Sequence, residues 1–235
     1  MIEIKNSKFD APLPEGVTAG KAYDTIGICI KDSVSEDVLI SNCDFTNGAI
    51  CAICGNGSGK LIVEDCTFDC SHMYNPINCG NTVGNKVGSV KTPVNDITVK
   101  NCKFDGACHN YINIYQFQDN AKIVLEDNEV TNSAADSEFI RLSNWNDGVA
   151  TIDVNNNSYA IADGLTLDAD WGCTILMEDD NHKTTGNYEK FENLTVNFAN
   201  SSVPGSDHDI IYYVQGEGTK TDNEYLNAHS VKFNK

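Results

Sequence analysis

The apolar positions of this chain recur as an eight-place unit, not as a helical stripe. Ile, Val or Leu fills the first and third places, Asn or Asp the fifth, and an aromatic or Val the eighth. In residues 97–104, for instance, Ile97, Val99, Asn101 and Phe104 hold these places. The unit also occupies residues 2–9, 38–45, 61–68, 123–130 and 152–159, and a weaker seventh copy starts at Leu194. Period-two alternation in its first half predicts a strand with one buried face. The Asn or Asp at the fifth place predicts a corner, because these residues tolerate left-handed backbone and hydrogen-bond locally. The residue at the eighth place then returns to the interior.

Further short apolar runs lie between the units, at residues 26–30, 49–53, 111–117, 139–142, 174–177 and 210–214. Strands that recur every 23 to 36 residues without hairpin turns stack coil on coil as a solenoid. With its I-x-I-x-N-x-x-F rhythm and Asn corner, the chain resembles the right-handed parallel β-helices of the pectate-lyase-like superfamily. It resembles most the kind found in phage structural and spike proteins, and the resemblance covers nearly its whole length. It implies an all-β fold: a right-handed, single-stranded parallel β-helix of about seven to eight coils, as one domain over residues 1–235. An antiparallel β-sandwich is the alternative all-β arrangement. Such a fold hosts lyases, hydrolases, spikes and structural proteins, so it does not by itself assign an activity.

Charge narrows the partners. Asp and Glu number 34 against 16 Lys and Arg, for a net charge of −18, which repels a phosphate backbone and argues against nucleic acid. Arg141 is the only arginine, so a mechanism built on several guanidinium clamps is excluded. No apolar run approaches the roughly 18 residues of a bilayer span, so no membrane partner is expected. The first residues carry no basic and apolar export pattern, and the ten cysteines are therefore expected to be reduced thiols. The chain is accordingly expected to fold in a host cytoplasm, with a secreted protein as the alternative.

The cysteines invite a metal test. Cys51, Cys54, Cys66 and Cys70 have zinc-like spacing, but Cys43, Cys66 and Cys102 share the sixth place of three units, which predicts a buried thiol ladder. Strand parity turns Cys51 inward, level with Ile28, and Cys54 outward. The better place for a metal is a loop cluster of Cys70, His72, Cys79, Cys108 and His109. The expected complement is nevertheless no metal and no cofactor.

Catalytic signatures of the resembled superfamily are sparse. Its polygalacturonase-like members carry N-x-D, D-D, G-H-G and R-x-K motifs, of which only the pair Asp179 and Asp180 is present. Asp168, Asp170, Glu178, Asp179 and Asp180 could hold calcium, yet read more simply as solvated acids. Asp207, His208 and Asp209 read as a loop before the strand at Ile210. No catalytic residue is therefore assigned.

A binding face is more legible. If Ile112, Ile114, Ile140, Leu142, Ile175 and Met177 point inward, Tyr111, Asn113, Tyr115, Phe117, Phe139, Arg141, Leu176 and Glu178 form an outward stripe, which Tyr213 or Tyr212 would extend. Strands about 4.8 Å apart would make it a contiguous aromatic ladder, suited to a glycan or to a protein interface. Burial of the same aromatics beneath loops, with Trp145 and Trp171 as cover, is the other reading.

These observations favour a non-catalytic structural or adhesion component of a virus particle: a bacteriophage head-decoration, head-fibre or tail-spike type protein. Its partners would be other virion subunits, as a homo-oligomer or docked on a lattice, and a surface glycan. The alternatives are a polysaccharide lyase or glycoside hydrolase, with Glu138, Glu178 and Asp179 as its carboxylates, and a carbohydrate-binding module.

Overall fold

The computed structural model describes residues 1–12, 15, 16, 26–47, 51–80, 82, 83, 86, 87, 93–143, 148–168, 171–179, 194–214, 218–221 and 232–235. Three sheets run along the molecule. The first holds Ile2–Lys5, Val38–Ser41, Leu61–Glu64, Ile97–Lys100, Ala121–Glu126, Ala150–Asn155, Leu194–Ala199 and Lys232–Asn234, all parallel. The second holds Lys8–Asp10, Asp44–Thr46, Thr67–Asp69, Lys103–Asp105, Glu129–Ser133 and Ser158–Ile161, also parallel. The third begins with Ile26–Ile30 and continues through Cys51–Gly55, Ile77–Cys79, Asn110–Ile114, Glu138–Leu142, Ile175–Asp179 and Ile210–Val214. The chain visits the three sheets in turn for six circuits, each one coil of a right-handed parallel β-helix, and in a seventh passes from Leu194–Ala199 to Ile210–Val214 without a strand in the second sheet.

The eight-place unit is the path from the first sheet into the second. Its first places stack in one register column: Ile2, Val38, Leu61, Ile97, Ile123 and Ile152. At the fifth place Asn6, Asn42, Asp65, Asn101, Asp127, Asn156 and Asn200 all have φ between 49° and 55°. That left-handed conformation turns the chain by one residue, and a short carboxamide or carboxylate tolerates it better than other side chains do. The eighth places form a stack of near-parallel rings, Phe9 on Phe45 at 4.9 Å, Phe45 on Phe68 at 5.0 Å and Phe68 on Phe104 at 4.8 Å. These spacings follow directly from the distance between parallel strands.

The sixth place is buried from the second copy onward, as its parity predicts, with Ser7 of the first copy half-buried, and it is polar in every copy. Cys43, Cys66 and Cys102 are buried, and their thiols donate to carbonyls two residues back, those of Ser41, Glu64 and Lys100. Further along, Asn128 accepts from the Cys102 amide at 3.0 Å, and Asn157 accepts from the Asn128 amide at 3.0 Å. Ser201 continues the line by accepting from the Asn157 amide at 3.0 Å. Asn128, Asn157 and Ser201 thus each satisfy a buried backbone amide of the neighbouring coil, whereas the thiols add a second donor to carbonyls that already accept a corner amide.

Three details depart from the sequence expectation. In the seventh copy Val196, not Leu194, pairs with Ile152, so Asn200 takes the corner and the strand starts two residues early. The strand Ile77–Cys79 was not anticipated, because a three-residue run after Pro76 carries too little periodicity. The third sheet ends in Gly218–Thr221, which folds back antiparallel on Ile210–Val214.

Candidate functional site

The outer face of the third sheet owes its chemistry to a backbone irregularity. The amides of Ala52 and Ile53 both donate to the Pro76 carbonyl, at 2.9 and 3.0 Å. Two consecutive residues then oppose one, which is the definition of a bulge. Ala52 and Ile53 enter the core together, as do Tyr111 and Ile112, and Phe139 and Ile140. The residues on either side of such a pair share the outer face at a spacing of three. Asn110 and Asn113 flank one pair; Glu138 and Arg141 flank the next. Register sets Asn110 beside Glu138, and Asn78 beside Asn113, which lies beside Arg141.

These columns floor a cleft of about 500 Å³, open at its mouth and lined by Tyr74, Asn75, His109, Asn110, Asn113, Tyr115, Arg141 and Glu178. One hydrogen-bond line crosses it. Asn75 Nδ2 donates to the Asn110 carbonyl at 3.3 Å and to Asn110 Oδ1, and Asn110 Nδ2 donates to Glu138 Oε2 at 3.2 Å. Glu138 is only 1% exposed, and burial pushes its carboxyl up to about 8 against the opposing hydrogen bond from Asn110. The Glu178 charge adds to the rise and Arg141 offsets part of it.

Arg141 is engaged on several sides. Its Nε donates to Glu178 Oε2 in a close ion pair, and a terminal nitrogen donates to Asn113 Oδ1 at 3.3 Å. The guanidinium carbon lies 5.1 Å from the Tyr115 ring centroid, within cation–π range. Both members of the ion pair are largely buried, Arg141 more than Glu178. At the rim Tyr74 is 45% exposed, and its ring lies 4.9 Å from that of His109. Partial desolvation, then the Arg141 charge, lowers the His109 imidazole below its ordinary value. Asn78, on the strand next to Asn113, keeps its Oδ1 buried without a hydrogen-bond partner.

The predicted stripe is therefore only partly a surface. Tyr115, Arg141 and Glu178 line the cleft, together with Asn113. Tyr111, Phe117 and Phe139 do not; all three are fully buried in the core. The bulge reverses the parity at Tyr111 and Phe139, whose rings meet Phe104 edge-on at 5.7 and 6.3 Å. Phe117 bridges to Val94 after the regular strand has ended. Tyr213 is half-buried and packs on Trp171 at 4.9 Å, in a small apolar patch with Cys173, Leu176 and Ile211. It is next to Glu178 in register and does not line the cleft.

Parity also misplaced Cys51. It pairs with Ile26, not Ile28, and joins Cys54, Ile26 and Cys29 in an apolar patch apart from the main core. The proposed loop cluster does not assemble: Cys70, Cys79 and Cys108 belong to the core, His72 is exposed and His109 is at the cleft. Among the described residues no three His, Cys, Asp or Glu side chains are grouped to hold a metal. Asp170, Asp180 and Trp145 lie outside the described residues. Asp209 accepts from Ser202 at 2.7 Å and takes the Lys235 ammonium, which ties it into its own loop and the last strand.

Sequence reasoning missed Tyr74, Asn75 and Asn110, and singled out His109 only as a metal ligand. No periodic signal marks them, because they lie on loops or at the bulge. Comparison with protein-family models, with curated proteins and with solved structures finds no match. The fold is thus established by its own sheet topology.

Proposed function

We propose that the chain is a non-catalytic adhesion protein that binds a saccharide in the cleft of the third sheet. The observation that carries this reading is the lining itself. Tyr74 and Tyr115 offer ring faces at the mouth, and the nearly buried carboxamides of Asn75, Asn110 and Asn113, hydrogen-bonded to one another, to Glu138 and to Arg141, make the floor polar but uncharged. Sugars fit such a lining, with C–H faces that stack on rings and hydroxyls that suit a polar, uncharged wall. A purified chain applied to a broad glycan array is expected to retain at least one saccharide class, and Tyr115→Ala to lose it. Retention of none would end this reading.

In this proposal the chain is a virion-surface subunit of the head-decoration, head-fibre or tail-spike kind, docked on other virion subunits or on copies of itself. That placement rests on the resemblance of the repeat. Cys43, Cys66 and Cys102, whose buried thiols donate to backbone carbonyls, fit folding in a reducing cytoplasm before release. Mass spectrometry of purified particles tests it, and absence of the chain from them would refute it.

A second reading, glycan cleavage, is favoured by one observation. Glu138 and Glu178 both interact with Arg141, so two carboxyl groups share one cleft region. Glycosidases need such a pair roughly 5 to 9.5 Å apart around the scissile bond. The near-complete burial of Glu138 favours binding instead, since an acid must reach the leaving oxygen. Release of reducing ends from any polysaccharide, abolished by Glu178→Gln, would replace adhesion with catalysis.

A further inference from the structure

We infer that this cleft selects uncharged, hydroxyl-rich saccharides and turns away those bearing uronate or sialate carboxylates, a specificity that rests on the saccharide-binding reading above. A carboxylate-bearing sugar requires a cation free to receive it. Among the described residues lining the cleft, Arg141 is the only permanently charged cation. Its guanidinium is already divided between Glu178 and Asn113, with the Tyr115 ring within cation–π range. An incoming carboxylate would have to displace Glu178, which would then stand largely buried without its partner.

The rest of the surface has no charge to offer an anion. Asn75, Asn110 and Asn113 are neutral amides, nearly buried and already hydrogen-bonded, so they make the floor polar without any charge. Desolvation keeps the Glu138 carboxyl protonated at neutral pH, so the floor gains neither a cation nor an anion there. His109 is shifted towards its neutral form. At long range the chain carries −18, which opposes the approach of any polyanionic glycan. The local ion pair, the amide floor and the global field all act in the same direction.

The test is a titration of the full chain with a neutral set (β-glucan, mannan and galactan fragments) and an acidic set (oligogalacturonate, alginate and oligosialate) by calorimetry at fixed ionic strength. A neutral saccharide is expected to bind with little dependence on sodium chloride, and every acidic one at least tenfold more weakly. Glu178→Gln, which releases Arg141, is expected to gain at least tenfold for an acidic saccharide. Wild-type binding of an acidic saccharide as tight as any neutral one would overturn the selectivity and leave the saccharide reading standing. Binding of neither set would overturn both. Should Glu178→Gln lose its fold by circular dichroism, the wild-type comparison decides alone. Equal affinities there refute the inference.

Discussion

Replacing Glu138 by Gln should change how the stability of this protein depends on pH, and the size of the change follows from where the carboxyl is. Glu138 is on the outer face of the third sheet, almost wholly buried, and accepts a hydrogen bond from Asn110 Nδ2 at 3.2 Å. Its ordinary value of 4.5 rises to about 8 in the fold, with desolvation as the main cause. Between those two values the unfolded chain has released this proton while the folded chain still holds it. Raising the pH through that window therefore favours unfolding. The contribution of Glu138 is fully present below 4.5, declines up to about 8 and is constant beyond. The slope is about 1.4 kcal/mol per pH unit, which over the window amounts to roughly 4 to 5 kcal/mol.

Glu138→Gln keeps the volume and an oxygen for Asn110 but has no proton to lose. Guanidinium melts of both proteins at pH 5, 6.5 and 8 should show similar stability at the lowest pH. The wild type should then fall behind the variant by about 1.4 kcal/mol per unit. Taking the difference between the two proteins removes the other carboxylates, which titrate in both. A carbon-13 titration of the Glu138 carboxyl should find its midpoint well above the usual carboxylate range. A flat difference curve, or an ordinary midpoint, would refute the argument that burial governs this group.

Two further outcomes test the scaffold. Phe68→Ala removes a fully buried ring stacked on both sides, by Phe45 and Phe104, and should cost about 3 to 5 kcal/mol in a denaturant melt; a loss below 1 kcal/mol would mean that the ring column is not a packed core. Asn101, at φ 52°, should tolerate Gly with little change but lose about 1 to 2 kcal/mol on substitution by Val, by the same assay. Equal stabilities for those two variants would show that the corner does not depend on left-handed backbone.

Much of the fold is legible in the sequence because a β-helix is nearly one-dimensional. Each coil meets only its neighbours, so a column of like residues in space is a repeat along the chain. Ile2, Val38, Leu61, Ile97, Ile123 and Ile152 could be aligned by eye, and register then placed Asn101 at a corner and Cys102 inside it. The weaker seventh copy slipped by two residues, since the start of the strand at Leu194 mimics the first place of the unit.

The candidate site was legible only in part, and the reason is local geometry. Alternation predicts which way a side chain faces only while the backbone keeps period two. A bulge in the third sheet breaks that period, sending Tyr111 and Phe139 into the core and bringing Glu138 and Arg141 to the same outer face. The sequence alone therefore determined the repeat, the corners, the buried sixth place, the acidic surface and the uniqueness of Arg141. Tertiary structure alone decided that Arg141 meets Glu178, that Glu138 is buried beside Asn110, and that Tyr74 and His109 close the rim. Those contacts join residues 28 to 37 positions apart where coils stack, and no local pattern encodes them.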